Sequence, residues 1–339
     1  MIGILSNQFG QLNIKVLLVC PYDLNHHGGV QNQVKLLKKG LINSGIESKI
    51  LGPGSFDYDI GRATKIPFNG SQNPITFFPI KRIINESLEW ADVIHVHEPF
   101  MPFFFWRLHT NRKIIVSHHA NIGRFLKVCL KFLYLFTKEK KLYSTAVSNE
   151  ALKNATALNQ EISIIPNMIQ INENIKYINN DGYLFIGRDE KRKNLALFIE
   201  LAEYINSPSK FLAITNKIHS NKTVTFHLKP SEANKMSLIT NVGIYIAPNK
   251  KSESFGITIL EAINQGNVAV CSDIEAFKSL LKDKGIFFIN NNLKDLINTL
   301  DNLDRDNMNQ IWLNQFNYIK ENFSMDKVLQ KWIYVYKNL

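Results

Sequence analysis

Two glutamates, Glu253 and Glu261, stand with seven residues between them in the stretch APNKKSESFGITILEAINQG, residues 247–266. Ser254-Phe255-Gly256 reads as the start of a helix, in which the apolar Ile257, Leu260 and Ile263 recur at helical spacing and Gly266 closes the run. A strand-like VGIYIAP precedes it, so the unit is strand, turn and helix N-terminus. Such a terminus offers unpaired backbone N–H groups and the positive end of the helix dipole, which suits a phosphate. Glu253 falls just before the helix and Glu261 about two turns in, roughly 10 Å along the axis. Two acceptors flanking a phosphate site could hold two clusters of sugar hydroxyls. The same spacing also fits an amphipathic helix with solvated acids, and the rest of the chain has to decide.

Other stretches carry chemistry-bearing side chains. The turn GRDEKRKN places Arg188 and Lys193 after the strand-like YLFI. Arginine offers a planar fork to two phosphate oxygens and lysine a mobile point charge. Gly28-Gly29, in CPYDLNHHGGVQ, would let the backbone approach a phosphate closely, although no G-x-G-x-x-G is present. His118 and His119 end an apolar strand, where α/β proteins place ligands. His95, His97 and Glu98 superficially suggest a metal site, but no further ligands follow at a supporting spacing. Asp57-Tyr58-Asp59 has the spelling of a metal-binding Asp-x-Asp, yet lies in a Gly-rich loop and reads as chance.

These residues need elements to position them. KVLLV (15–19), ESKILGPG, DVIHVHEP (92–99), KIIVSHH (113–119), STAVSN (144–149) and ISIIPN (162–167) read as short buried parallel strands of a first series. A helix with Val34, Leu37 and Leu41 on one face and Gly45 as C-cap follows the first strand. The polar QINENIKYINND (170–181) reads as a linker, after which strand and helix alternate again: YLFIGR, LALFIELAEYI, FLAIT, TVTFHL, VGIYIAP, NVAVCS and GIFFIN. Two such series predict an α/β protein of two doubly wound domains facing a central ligand cleft. The expected boundaries are 1–169 for an N-terminal acceptor-side domain, 182–322 for a nucleotide-binding domain, and 323–339 for a C-terminal helix packing back on the first domain. Ser324 can cap that helix, whose apolar face is Val328, Leu329, Trp332, Ile333 and Tyr336. One place resists: NKIHSNK between FLAIT and TVTFHL is too short for a crossover helix, so one run is expected to lie outside the sheet or to pair irregularly.

Bulk properties narrow the class. A chain of 339 residues, 45% hydrophobic and 20% charged, can bury two cores, and no apolar run reaches membrane-spanning length. The N-terminal stretch lacks a signal-peptide pattern, and Cys20, Cys129 and Cys271 are scattered and odd in number, so a cytoplasmic location is expected. Net charge is +11, of which +8 falls in residues 1–167, enough to attract nucleic acid, anionic lipid or a phosphorylated substrate. Residues 122–142 combine an apolar face of Phe125, Val128, Cys129, Phe132 and Leu135 with a basic flank. That pattern fits either a membrane surface or the cover of a core.

Taken together, VCPYDLNHHGGVQ, IPFNGS, HVHEP, AVSN, IPN, FIGRDEKRKN, IAPNKKSESFGITILEA and CSDIEAF resemble the retaining glycosyltransferases of the GT-B fold, family 4. CPY with GGVQ, PFNGS and SDIEAF point more narrowly to the phosphatidylinositol mannosyltransferase type. The resemblance implies transfer of a hexose, mannose from GDP-mannose, to a phosphatidylinositol-type lipid by a protein peripherally bound to the anionic inner face of the cell membrane. It implies no metal, no other cofactor and no nucleic-acid partner. In donor binding, Gly29 would approach the diphosphate and Arg188 and Lys193 would neutralise it. Glu253 would contact the hexose and Glu261 the ribose, Phe255, Gly256 and Ile257 would offer N–H groups, and Pro230 to Lys235 would hold the base. His119 would sit beside the reacting sugar. Tyr22, Gln31, Asn69 and Ser71 would handle the acceptor. Preorganised cations and N–H groups stabilise charge growing on a departing diphosphate, commonly the largest catalytic contribution.

Departures from the family are Phe68 in place of a tyrosine, Pro74 in place of a basic residue, and TNKIHSNK in place of a glycine-rich turn. A GT-B transferase with another sugar nucleotide and a glycolipid or polysaccharide acceptor fits the same motifs. A sugar-nucleotide epimerase would need acid and base carboxylates that the sequence does not single out. A basic nucleic-acid-binding protein has only the charge in its favour, without a basic-aromatic ladder.

Overall fold

The computed structural model describes residues 14–26, 28–68, 71–99, 108–120, 142–155, 162–207, 210–251 and 253–339. The amphipathic segment 122–142 lies outside them except for Leu142, as do Asn69 and Cys129. The chain divides into two compact units, Met1–Met168 with Met325–Leu339, and Ile169–Ser324.

The first unit is built on β1 (Lys15–Val19), β2 (Glu47–Gly52), β3 (Tyr58–Asp59), β6 (Val93–His97), β7 (Lys113–His118), β8 (Leu142–Ala146) and β9 (Ile162–Ile164). They form one parallel sheet in the order β3-β2-β1-β6-β7-β8-β9. β4 (Thr64–Phe68) and β5 (Ser71–Ile75) form a separate antiparallel hairpin around the PFNGS stretch, which the sequence did not lead us to expect. Side chains alternate along a strand, so β1 feeds two cores. Val16 and Leu18 pack with Val34, Leu37 and Leu41 of α1 (Gly29–Asn43). Leu17 and Val19 pack with Ile84 and Leu88 of α2 (Lys81–Trp90).

Of the helices that follow, α3 is Asn149–Ala155, α4 Leu195–Ile205, α5 Glu232–Ile239, α6 Ile257–Ile263, α7 Glu275–Leu281, α8 Leu293–Asp301, α9 Met308–Phe323 and α10 Met325–Asn338. α10 belongs to the first unit, where its face of Val328, Leu329, Trp332, Ile333 and Tyr336 joins the α1 side of the core. Gly40 permits this, because a Cβ there would stand 3.0 Å from Leu329 Cδ2.

In the second unit β10 (Tyr183–Ile186), β11 (Phe211–Thr215), β12 (Thr225–Leu228), β13 (Ile244–Ala247), β14 (Val268–Ser272) and β15 (Ile286–Phe288) form a parallel sheet. Their order, β12-β11-β10-β13-β14-β15, is that of a dinucleotide-binding sheet. One expectation is overturned here: β11 and β12 are regular parallel neighbours, with Leu212 to Thr215 in register with Thr225 to Leu228. No crossover helix is needed, because β12 is a largely exposed edge strand that leaves little surface to cover. Within the loop Asn221 Oδ1 accepts from Thr223 N at 2.8 Å, and Asn216 Oδ1 ties it to the turn after β10 by accepting from Asp189 N at 2.6 Å. Residues 170–181 are also more than a connection. Ile178 N donates to Gly266 O, and Asn172 N to Asn264 Oδ1, so the stretch packs into the second unit.

Candidate active site

In open α/β sheets ligands bind beyond the carboxyl ends of the strands, where the strand order reverses. In the second unit that point lies between β10 and β13, which are hydrogen-bonded neighbours. The turn 187–194 leaves one strand and the loop 248–256 the other. They meet at Glu253, whose Oε2 accepts from Lys193 Nζ at 2.5 Å, Asn249 Nδ2 at 2.7 Å and Arg192 Nη1 at 3.4 Å. Burial raises the Glu253 carboxyl, yet the Lys193 and Arg192 charges and the Lys193 and Asn249 donors outweigh it and hold the group below the usual carboxylate range. Asn249 is set by Ser272, whose hydroxyl donates to the Asn249 carbonyl at 2.6 Å. Arg188 lies on the same turn, paired through Nε with Glu190 Oε1 at 3.1 Å, and Glu190 Oε2 takes Arg192 Nε at 2.7 Å.

The helix after Glu253 begins at Ile257, with Gly256 as its N-cap in the left-handed region (φ 103°). Any side chain there would be strained and would meet Leu280 and Phe277 at 3.1 Å. Phe255 is buried and set edge-on to Phe323, ring centroids 5.7 Å apart. Glu261 lies on α6 and accepts from Lys235 Nζ at 2.8 Å. Lys235 is on α5, which Ser231 caps by accepting from Asn234 N, directly after Pro230. The structure therefore gathers Lys193 with Glu253, and Lys235 with Glu261, as two ion-paired groups on either side of the start of α6.

The same switch point in the first unit lies between β1 and β6. Gly29 is the first residue of α1, and Gln31 is buried against Gly28 with its amide reaching Asp23 O at 3.4 Å. Tyr22 follows β1 and bridges to Ile75 at the end of the β4–β5 hairpin. Burial raises its hydroxyl well above the usual value, and the Glu98 charge adds to this. Ser71 opens β5; Asn69 falls outside the described residues.

Adjacent strands β6 and β7 end in histidines. His119 Nε2 lies 2.9 Å from His97 Nδ1, and its backbone N–H donates to Glu98 Oε1 at 2.8 Å. Burial pushes the His119 ring down to about 4, while a hydrogen bond to the Asn167 side chain works the other way. Glu98 is a buried non-glycine residue at φ 52°, and burial raises its carboxyl to about 7 against the N–H groups of His119 and Ala120. His95 is a core residue. Its Nδ1 meets Tyr336 OH and its Nε2 meets Ser117 Oγ, both at 2.7 Å.

Two family models match the chain: "Glycosyl transferases group 1" over residues 169–319 and "Glycosyltransferase Family 4" over 27–173. The chain belongs to the GT-B glycosyltransferases of family 4. It is 29% identical over 304 residues, 80% of each chain, to a phosphatidyl-myo-inositol mannosyltransferase of Mycobacterium tuberculosis (strain CDC 1551 / Oshkosh). Identity is also 29%, over 306 residues and 80% and 79% of the two chains, with the protein of that name from Mycolicibacterium smegmatis. In fold it resembles a glycosyltransferase from Rickettsia africae, with a TM-score of 0.70 and 17% identity over 96% and 98% of the chains.

For this glycosyltransferase the sequence reading missed Arg192 and Asn249, which share Glu253 with Lys193, and gave no role to Glu98 or Asn167. Arg192 was legible as the neighbour of Lys193 in a basic turn, and the other three lie in the motifs PNKKSES, HVHEP and IPN. The Asp-x-Asp spelling is explained by loop geometry. Asp57 Oδ2 accepts from Ile50 N and Lys38 Nζ, and Asp59 Oδ1 from Gly54 N and Gly61 N. Among the described residues no group of three or more His, Cys, Asp or Glu side chains is arranged to hold a metal ion. No helix among them is long and apolar enough to cross a membrane.

Proposed function

We propose that this glycosyltransferase moves mannose from GDP-mannose to a phosphatidylinositol-type lipid at a membrane surface, with retention of anomeric configuration and without a metal. The observation that carries the donor half is the Glu253 cluster at the switch point of the second sheet. A carboxylate kept ionised by Lys193, Arg192 and Asn249 is poised to accept sugar hydroxyls while the same cations face an arriving diphosphate. The mycobacterial relatives' name supports the mannose and phosphatidylinositol assignments.

In the reaction an acceptor hydroxyl oxygen bonds to the anomeric carbon as the bond from that carbon to the diphosphate oxygen breaks. The acceptor proton passes to the departing diphosphate, and GDP is released. Arg188 and Lys193 would neutralise the charge that grows on it, the N–H groups of Phe255, Gly256 and Ile257 would bind it, and Glu261 with the Pro230 to Lys235 segment would hold the nucleoside. Cations and dipoles placed in advance perform this without reorganisation during the reaction. Gly29 would approach the diphosphate, and Tyr22, Gln31, Asn69 and Ser71 would take the acceptor.

Purified protein given liposomes containing phosphatidylinositol and labelled GDP-mannose should transfer label to lipid, equally in EDTA. Transfer only from UDP-sugars would overturn the donor, label appearing only on a non-inositol acceptor would overturn the lipid, and loss of activity in EDTA would overturn metal independence. Anionic liposomes should bind the protein and release it at high salt, whereas equal binding to neutral liposomes would exclude an electrostatic attachment.

A further inference from the structure

We propose that His97 is a positioning residue for His119, donating a hydrogen bond from its Nδ1 to His119 Nε2 and so fixing that ring's tautomer and orientation. The inference rests on the reading that His119 meets the reacting sugar, and it adds the residue that presents it.

One of the two facing nitrogens, 2.9 Å apart, must carry the proton. The Asn167 side chain also hydrogen-bonds the His119 ring. A neutral imidazole carries a single N–H, so with the shared proton on His97 Nδ1 the His119 Nε2 accepts through a bare lone pair and the His119 proton sits on Nδ1. His97 is then left with a bare Nε2, which is buried and has no hydrogen-bond partner among the described residues. The opposite tautomer would bury an unpaired N–H at that position.

The His97 ring is held from behind. His95 stacks on it with centroids 4.2 Å apart and planes 29° from parallel. His95 is itself locked by a one-way chain of donors. Thr145 Oγ1 donates to Val116 O, which commits its only proton, so Ser117 Oγ donates to Thr145. His95 Nε2–H then donates to Ser117 Oγ, and Tyr336 OH to His95 Nδ1. The register that sets His97 opposite Ser117 places the two histidine-bearing strand ends side by side.

A donor aimed at Nε2 opposes protonation at that nitrogen, so His97 helps to keep His119 neutral. The other titratable groups around the pair are His95, His118 and Glu98. Burial lowers His95 and His118, and Glu98 accepts from the His119 backbone rather than from its ring.

The test combines nitrogen NMR of histidine-labelled protein at neutral pH with two substitutions. The spectrum should show His97 and His119 both protonated at Nδ1; a His97 protonated at Nε2 overturns the proposal. His97→Phe keeps a stacking ring and loses the donor, while His97→Asn returns an amide N–H near the Nδ1 position. His97→Phe should lower kcat about 10–100-fold through misplacement of the neighbouring group, with KM for the sugar nucleotide within about twofold. It should also move the acid limb of the kcat profile and the His119 titration toward higher pH, and His97→Asn should restore most of both. A His97→Phe enzyme with unchanged kcat and acid limb, or a His97→Asn enzyme no better than it, overturns the proposal. Should wild-type protein transfer no sugar at all, the functional reading fails, while the NMR spectrum and the His119 titration still decide the hydrogen bond. Should His97→Phe not fold, the wild-type spectrum and His97→Asn decide it.

Discussion

Lys193 Nζ and Glu253 Oε2 lie 2.5 Å apart across 60 residues of chain, because the strands that precede them, β10 and β13, are neighbours at the point where the sheet reverses its order. Both side chains are mostly shielded, at 13% and 14% exposure. Removing one leaves the other short of its partner, at a cost of about 1–3 kcal/mol. Lys193→Gln and Glu253→Gln should therefore each destabilise the protein, and the double variant should be less destabilised than the two effects combined, with a coupling of about 0.5–3 kcal/mol. Urea unfolding of the four proteins measures it. Simple additivity would mean that Arg192 and Asn249 hold Glu253 unaided. Turnover in the liposome assay should fall about 100-fold or more for Glu253→Gln.

Gly256 can be tested without touching a charge. Ala at φ 103° is strained, and its Cβ would press on Leu280, Phe277 and Ile259 at 3.1–3.2 Å. Gly256→Ala should cost about 1–3 kcal/mol and raise KM for the sugar nucleotide, because the start of α6 must shift. Thermal unfolding and initial-rate kinetics check the two effects separately.

Glu98 makes a pH prediction of a particular sign. Burial pushes its carboxyl up to about 7 in the folded state, above the ordinary value of about 4.5. The folded state thus holds a proton that the unfolded state has released, and this group's contribution to stability falls as pH rises from about 4.5 to about 7. His118 and His119, held down to about 3 and about 4, act oppositely and add stability as pH rises through about 4 to 6.5. Glu98→Gln keeps an acceptor for His119 N and removes only the ionisable group. Its stability relative to wild type should improve steadily from about pH 4.5 to about pH 7, by up to about 3 kcal/mol, as read from denaturant midpoints at successive pH values.

Tyr336→Phe removes the hydroxyl that donates to His95 Nδ1 and leaves a fully buried acceptor without a partner. It should cost about 1–3 kcal/mol. The His95 nitrogen resonances should shift more than those of His119, since the change reaches His119 only through His97. A larger effect on His119 would show that the ring stack is not the path.

Both sheets were legible in the sequence because buried parallel strands read as short apolar runs such as KVLLV and YLFI. Lys193 and Glu253 were legible because their motifs follow such strands. The β11–β12 pairing was misjudged because the length rule for crossovers presumes a covered strand, and β12 is an exposed edge. His95, His97 and Glu98 resembled metal ligands in sequence because spacing cannot say which face a side chain takes. The fold sends His95 into the core against Trp332 and Tyr336, and turns Glu98 toward the His119 backbone. The shared partner of Arg192 and Asn249 was hidden for a related reason. Their meeting at Glu253 depends on which strands are neighbours, and only the sheet order fixes that.

The return of α10 to the first unit has a consequence for biosynthesis. Val328, Trp332 and Tyr336 complete a core begun by Val16 and Leu18, yet the whole second unit is translated in between. At about 5–20 residues per second the first unit waits roughly 8–30 s on the ribosome with that side of its sheet unsealed. The second unit, continuous in sequence, is under no such delay. Released chains truncated after Ser324 should therefore show a protease-resistant second unit beside a first unit still open to cleavage.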